Sequence, residues 1–210
     1  MSTDVIQAIF DLLKDNKEFP NYQAERRIDI FINFFLGRIL STYLREETLY
    51  VCPEFPLKRS DNNRSIKLDY LYKTYTQPVF VELKTDAYSL SEDQALRYLN
   101  CNWNICASDL NQIISATKSG YRTKYRKLIS IIKNLNFMDE NPAIKVIYIS
   151  PIKDNTPSVW KNVTMMGITK LSDLKMSFQE EESTLWKNIL NLDLTIFEIK
   201  KSNSETGIII

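Results

Sequence analysis

The stretch from residue 49 to residue 84 constrains the fold more than any other part of the chain. Three short runs, 49–57, 66–72 and 78–84, are rich in aromatic and β-branched residues, and polar turns separate them, KRSDNNR being the clearest. The pattern predicts three consecutive antiparallel strands, because such side chains fit a pleated surface while Ser, Asp and Asn favour turns. Helical spacing lies on both sides. Upstream, residues 3–15 read as an amphipathic helix with Val5, Ile6, Ile9, Leu12 and Leu13 on its apolar face. Phe19-Pro20-Asn21 breaks it, and Asn21 is placed to cap a longer helix reaching about Arg45, with Ile28, Phe31, Ile32, Phe35, Ile39 and Tyr43 facing the core.

Downstream, Ser89-x-x-Glu92 and Ser91-x-x-Gln94 are overlapping capping-box signals, which predict a helix carrying Gln94 to about Ala107. Further helices are expected over 108–117 and 121–136. Residues 144–150 (IKVIYIS) form a continuous apolar run ending at Pro151, the pattern of a buried strand. A strand near 163–168, a helix around 180–191 and a strand at 194–200 complete the expectation. The fold class that results is α/β: a mixed sheet, antiparallel strands 1–3 plus a later strand, flanked by helices.

Length and composition fit this reading. A chain of 210 residues with 44% hydrophobic and 25% charged residues suits one globular domain spanning 1–210, with its core roughly at 22–150 and a C-terminal elaboration over 151–210. Four glycines and seven prolines are too few for a disordered or collagen-like chain. Asp4 and Asp11 stand where a signal peptide would need a basic start and an apolar run, and no window reaches the roughly 18 uncharged apolar residues of a membrane helix. Cys52, Cys101 and Cys106 are odd in number and lack zinc-ligand spacing, so reduced core thiols in a cytoplasm are expected, with no membrane partner.

The chain contains no histidine. That excludes His-based serine and cysteine triads, zinc sites built on imidazole, and nucleases with a His general base. Any metal must then be held by oxygen, which suits Mg²⁺ or Mn²⁺. No glycine-rich loop precedes a Lys-Ser/Thr pair, so a P-loop is excluded as well. A net charge of +1 neither demands nor forbids a nucleic-acid partner.

Chemistry concentrates in IKLDYLYKTYTQPVFVELKTD, residues 66–86, where Asp69, Glu82 and Lys84 interrupt apolar strands. Charges there are costly unless paired or bound to metal. Glu82 and Lys84, two apart, share one side of the sheet, and Val81 and Leu83 face the other. A hairpin turning about Tyr75 and Thr76 sets Asp69 directly opposite Glu82, with Cβ atoms about 4.5–5.5 Å apart. Two carboxylates that close repel unless a cation sits between them. A hard divalent ion held there polarises a phosphoryl oxygen and acidifies a water, and Lys84 beside it stabilises charge on phosphorus oxygens.

Asp69, twelve intervening positions, and then Glu82-Leu83-Lys84 resemble the signature of the PD-(D/E)XK, or restriction-endonuclease-like, nuclease superfamily. The predicted order of helix, three strands, helix and strand resembles that fold's core. Gln94-Ala95-Leu96-Arg97-Tyr98 resembles the Gln-x-x-x-Tyr motif of its RecB-like branch. The resemblance spans roughly 22–150, and the position before Asp69 departs from it, being Leu68 instead of proline. It implies that Asp69, Glu82 and the Leu83 backbone carbonyl bind Mg²⁺ or Mn²⁺, that Lys84 is catalytic, and that Gln94 and Tyr98 reach the site from one helical face. It also implies hydrolysis of DNA phosphodiesters by in-line attack of a metal-activated water, RNA being the variant substrate, with repair, recombination or defence as settings. A dimer would suit double-strand cleavage.

Plainer readings stand beside these. Glu82-x-Lys84 alone is commonly an exposed salt bridge, and Glu198-Ile199-Lys200 is a second copy without a hairpin partner or a following Gln-x-x-x-Tyr helix. Gln94 is also the third helical residue of the Ser91 capping box, and Tyr98 alone is more often core. Superfamily members often add an acid from the first core helix, which makes Glu25 a further metal-ligand candidate; a solvated first-turn glutamate is an equal alternative. Glu54 has the same status at a lower rank. Residues 118–133 hold six basic residues and no acid, so Arg122, Lys124, Arg126 and Lys127 are nucleic-acid-binding candidates, against the alternative of a solvated face. Tyr121, Tyr125, Leu128 and Ile132 in the same segment read as core. The rival function is a non-catalytic nucleic-acid- or protein-binding module on the same fold, which the survival of both acids and the lysine disfavours.

Overall fold

The computed structural model describes residues 3–16, 24–58, 65–84, 90–150, 163–167, 171, 174 and 176–191. Its elements are α1 (Thr3–Asn16), α2 (Ala24–Leu44), β1 (Leu49–Lys58), β2 (Ser65–Lys73), β3 (Pro78–Leu83), α3 (Glu92–Leu99), α4 (Trp103–Ala116), α5 (Ser119–Lys133), β4 (Lys145–Ser150), β5 (Thr164–Gly167) and α6 (Glu180–Leu190). The strands make one sheet in chain order, β1-β2-β3-β4-β5. β1–β2 and β2–β3 pair antiparallel, whereas β3–β4 and β4–β5 pair parallel. The α/β class, the antiparallel trio and the later strand therefore stand as expected, and β5 is the strand expected near 163–168, the fifth of the sheet.

Helices cover both faces of the sheet. On one side α1, α2 and α6 pack on Tyr70, Tyr72, Val79, Val81, Leu83, Ile147 and Ile149. On the other, α3, α4 and α5 pack on Leu71, Phe80, Val146 and Tyr148. Central strands covered on both faces need apolar residues at nearly every position, which is why β3 and β4 lack alternation. Every residue of β3 is buried, including Glu82. That single acid is the sequence's one violation of an otherwise apolar strand. β5 and α6 belong to the same core: Met166, Trp186 and Ile189 are buried with the α2 side chains.

Some details differ from the sequence expectation. In α1 the residue at the core is Phe10, fully buried, with Ile6 and Leu13 packed beside it, while Val5 and Leu12 point outward. A four-then-three spacing through Phe10 makes a narrower stripe than the one drawn through Val5 and Leu12. In α2 Tyr43 is exposed, and Leu36 and Leu40 are buried with Ile28, Ile32, Phe35 and Ile39. The helix expected to continue to Ala107 ends at Leu99, and a new one starts at Trp103. Asn102 is the cause: its side chain accepts the Ile105 N–H at 2.9 Å, a capping bond that a helix interior does not offer. The expected Asn21 cap, the turn at 59–64 and the strand at 194–200 lie outside the described residues. No helix among the described residues is long and apolar enough to cross a membrane.

Candidate active site

The β2–β3 register fixes the geometry first. Tyr70 pairs with Val81 and Lys73 with Pro78, so the hairpin turns about Tyr75 and Thr76, and the pairing ends one step short of Asp69 and Glu82. Asp69 is held to β3 through its side chain, its Oδ2 accepting the N–H of Leu83, the neighbour of Glu82, at 2.8 Å. Lys84, just past β3, donates its backbone N–H to the Ile149 carbonyl at 2.8 Å, which ties the end of β3 to β4.

Glu82 is 2% exposed, and three side chains converge on its carboxylate. Lys84 Nζ lies 2.7 Å from Oε1, Gln94 Nε2 donates to the same oxygen at 2.8 Å, and the Tyr98 hydroxyl donates to Oε2 at 3.0 Å. Gln94 Nε2 also donates to the Tyr98 hydroxyl oxygen at 2.8 Å. These bonds offset the desolvation that a buried carboxylate otherwise incurs. Of the two capping candidates at α3, Ser89 lies outside the described residues. Ser91 is the N-cap, its side chain accepting the Gln94 N–H, so the Gln94 backbone serves the cap while its amide side chain turns to Glu82. A spacing of four brings Gln94 and Tyr98 onto one face of α3.

The Tyr98 phenol acts as a donor. Burial, followed by the charge of Glu82, raises Tyr98 far above its ordinary value, so it keeps its proton. Tyr148 is raised in the same way, by burial first, then by Glu82 and Asp69. It is a member of the site that the sequence pattern does not single out. Register places it beside Glu82 across the β3–β4 pair, it is fully buried, and its ring lies 6.4 Å from that of Tyr98. Ser150, at the end of the same strand, is buried too.

Not every candidate joins the cluster. Glu54 is exposed and pairs with Lys67 at 2.9 Å, held by a backbone at φ 47° in the middle of β1. Glu25 lies in the first turn of α2, and its side chain is outside the described residues, as is that of Lys124. Arg122 is exposed and donates to the carbonyls of Thr117 at 2.9 Å and Ser115 at 3.2 Å, splinting the end of α4 to the start of α5. Arg126 and Lys127 are exposed on α5, whose Tyr125, Leu128 and Ile132 pack inward. If those two cations neutralise phosphates, replacing both with Gln is expected to flatten the plot of log K against log[salt], by about 0.9 for each phosphate left without its cation on duplex DNA. A slope equal to that of the parent protein, measured by fluorescence anisotropy, marks the helix as a solvated face.

Asp69, Glu82 and the Leu83 carbonyl would offer a cation oxygen only, the donor a hard ion takes. No cluster of three or more His, Cys, Asp or Glu residues that could hold a metal occurs among the described residues. The chain matches no family model, no curated protein and no solved structure.

Proposed function

We propose that the protein is a divalent-metal-dependent nuclease, with a restriction-endonuclease-like core of the RecB-like kind, hydrolysing DNA phosphodiesters in a cytoplasm. One observation carries this reading: a buried glutamate in a strand otherwise built for hydrophobic contact is held by Lys84, Gln94 and Tyr98, with Asp69 bound one residue away. A structural ion pair needs only one partner. Three polar side chains on one buried carboxylate, drawn from the end of β3 and the following helix, suit a site that handles charge.

Asp69, Glu82 and the Leu83 carbonyl would hold Mg²⁺ or Mn²⁺. When bound, the ion supplies charge neutralisation at the phosphate and raises the acidity of a water. Lys84 then has two tasks. It would orient the Glu82 carboxylate, as its bond at 2.7 Å does here, and its ammonium would donate to a non-bridging phosphate oxygen as negative charge grows there. Gln94 and Tyr98 would keep the Glu82 oxygens fixed, both being uncharged donors. The order of helix α2, hairpin strands β1–β3, helix α3 and parallel strand β4 supports the fold assignment.

Purified protein is expected to nick or degrade DNA in Mg²⁺ or Mn²⁺, and a chelator is expected to stop it. The assay uses single- and double-stranded DNA in each metal, with Mn²⁺ binding followed by calorimetry. No cleavage in either metal together with no Mn²⁺ binding overturns the proposal.

A further inference from the structure

Cys101 and Cys106 occupy two special positions at the start of α4. Asn102 is the N-cap, so Cys101 immediately precedes the cap and Cys106 is the fourth helical residue. Apolar residues at these two positions pack against each other and fix the angle at which the chain enters the helix. Here both are thiols. The Cys106 S–H donates to Cys101 Sγ at 3.2 Å, and both residues are buried. Two sulfurs held this way by a cap motif need to close by only about 1 Å to reach bonding distance.

A second feature separates this pair from an ordinary hydrophobic contact. Arg97, in the last turn of α3, donates from Nη1 to Cys101 Sγ at 3.4 Å. Its guanidinium is fixed by Asp109 and by the Lys58 carbonyl, 3.0 Å from Nε. A cation and a helix N-terminus both favour thiolate over thiol. Cys101 is accordingly held below the ordinary thiol range, first by the Cys106 hydrogen bond and then, against burial, by Arg97. The same bond and burial push Cys106 upward. Cys52, on β1, shows the contrast: burial alone pushes it up to about 12.

From this geometry we propose that Cys101 and Cys106 form a peroxide-reactive dithiol that closes to an intramolecular disulfide. The Cys101 thiolate attacks one peroxide oxygen, the O–O bond breaks, and a sulfenic acid forms with release of hydroxide. Cys106 Sγ then attacks the Cys101 sulfur, its proton passes to the departing oxygen, and the S–S bond forms as water leaves. Two thiols lose two electrons and two protons, and one peroxide becomes two waters. The disulfide ties the entry of α4 to the end of α3, where the Cys101 N–H already donates to the Tyr98 carbonyl at 3.2 Å. The proposal is independent of the nuclease reading.

The test treats the full chain with a small excess of hydrogen peroxide, alkylates it under denaturing conditions and digests it with trypsin. Cys101 and Cys106 share one tryptic peptide, residues 98–118, and Cys52 falls in another, residues 46–58. The expected result is a 98–118 peptide about 2 Da lighter than the dithiol form and carrying no alkyl group. Alkylatable thiols fall from three to one, and dithiothreitol restores them. In Cys106→Ser, Cys101 is expected to stop as a sulfenic acid that dimedone traps. Alkylation of both Cys101 and Cys106 after peroxide, or Cys52 oxidised as fast as Cys101, overturns the proposal on the wild-type protein alone. A dimedone adduct on wild-type Cys101 overturns the resolving role of Cys106.

Discussion

Replacing Lys84 with alanine is expected to lower DNA cleavage by about 10²–10³-fold or more while leaving Mn²⁺ binding intact or slightly tighter. The split follows from one interaction. Lys84 Nζ sits 2.7 Å from Glu82 Oε1, an oxygen that the ion would also need, so the ammonium and the ion compete for it. Removing the ammonium removes the competitor together with the group that faces the charge on phosphorus. Asp69→Ala is expected to lose both functions, because the carboxylate beside the Leu83 N–H is itself a ligand in this reading. Calorimetric Mn²⁺ titration of both variants, alongside single-turnover cleavage, separates the roles. Equal loss of metal affinity in the two variants would falsify the assignment.

The second large effect is on stability and lies away from the carboxylates. Asp109 is buried, and its Oδ2 accepts from Arg97 and from the Lys58 N–H at 3.1 Å. Asp109→Ala leaves a largely buried guanidinium without its counter-charge and a strand-end N–H without its acceptor. Breaking such a pair from one side costs about 3–5 kcal/mol. For a chain of this size that corresponds to a fall in Tm of roughly 6–20 °C. The double replacement Arg97→Met with Asp109→Leu removes both charges, and recovery of most of the loss is the expected result in urea or thermal melts. If the double variant is as unstable as the single one, the loss comes from packing and not from the stranded charge.

How far the sequence can be read depends on whether a signal is local. The Ser91 cap, the hairpin midpoint and the spacing of Gln94 and Tyr98 are all decided within a few residues, and the hydrogen bonds round Glu82 connect the residues those signals select. The end of α3 escapes a sequence reading because Asn100 and Asn102 sit in a stretch whose apolar spacing barely changes, so only the Asn102 side-chain bond to Ile105 marks the break. Tyr148 is hidden for a different reason. It lies in a strand covered on both faces, where an unbroken apolar run carries no alternation to say which side chain meets Glu82. The approach of Cys101 to Cys106 becomes visible only once the helix start is set one residue beyond Asn102. Phe10 yields its place to Val5 and Leu12 in the sequence because the apolar stripe of a short helix admits more than one line through it.

The strand order has a consequence for how the molecule assembles. Because the sheet runs β1-β2-β3-β4-β5 without a permutation, each strand docks on the one made just before it. The bond from Leu83 to Asp69 closes a loop of 14 residues, and the Glu82 bond from Tyr98 spans 16. Docking β4 onto β3 closes a far longer loop, yet chain entropy grows only logarithmically, so the added cost is roughly 1–2 kcal/mol. The hairpin and its following helix thus bring their polar cluster together through short-range closures, ahead of the long connection that covers it. A nascent chain leaving the ribosome would gather Asp69, Glu82, Lys84, Gln94 and Tyr98 before the strand that bears Tyr148 had emerged. The charged centre is then laid down while water still reaches it, and burial follows only once its partners are in place.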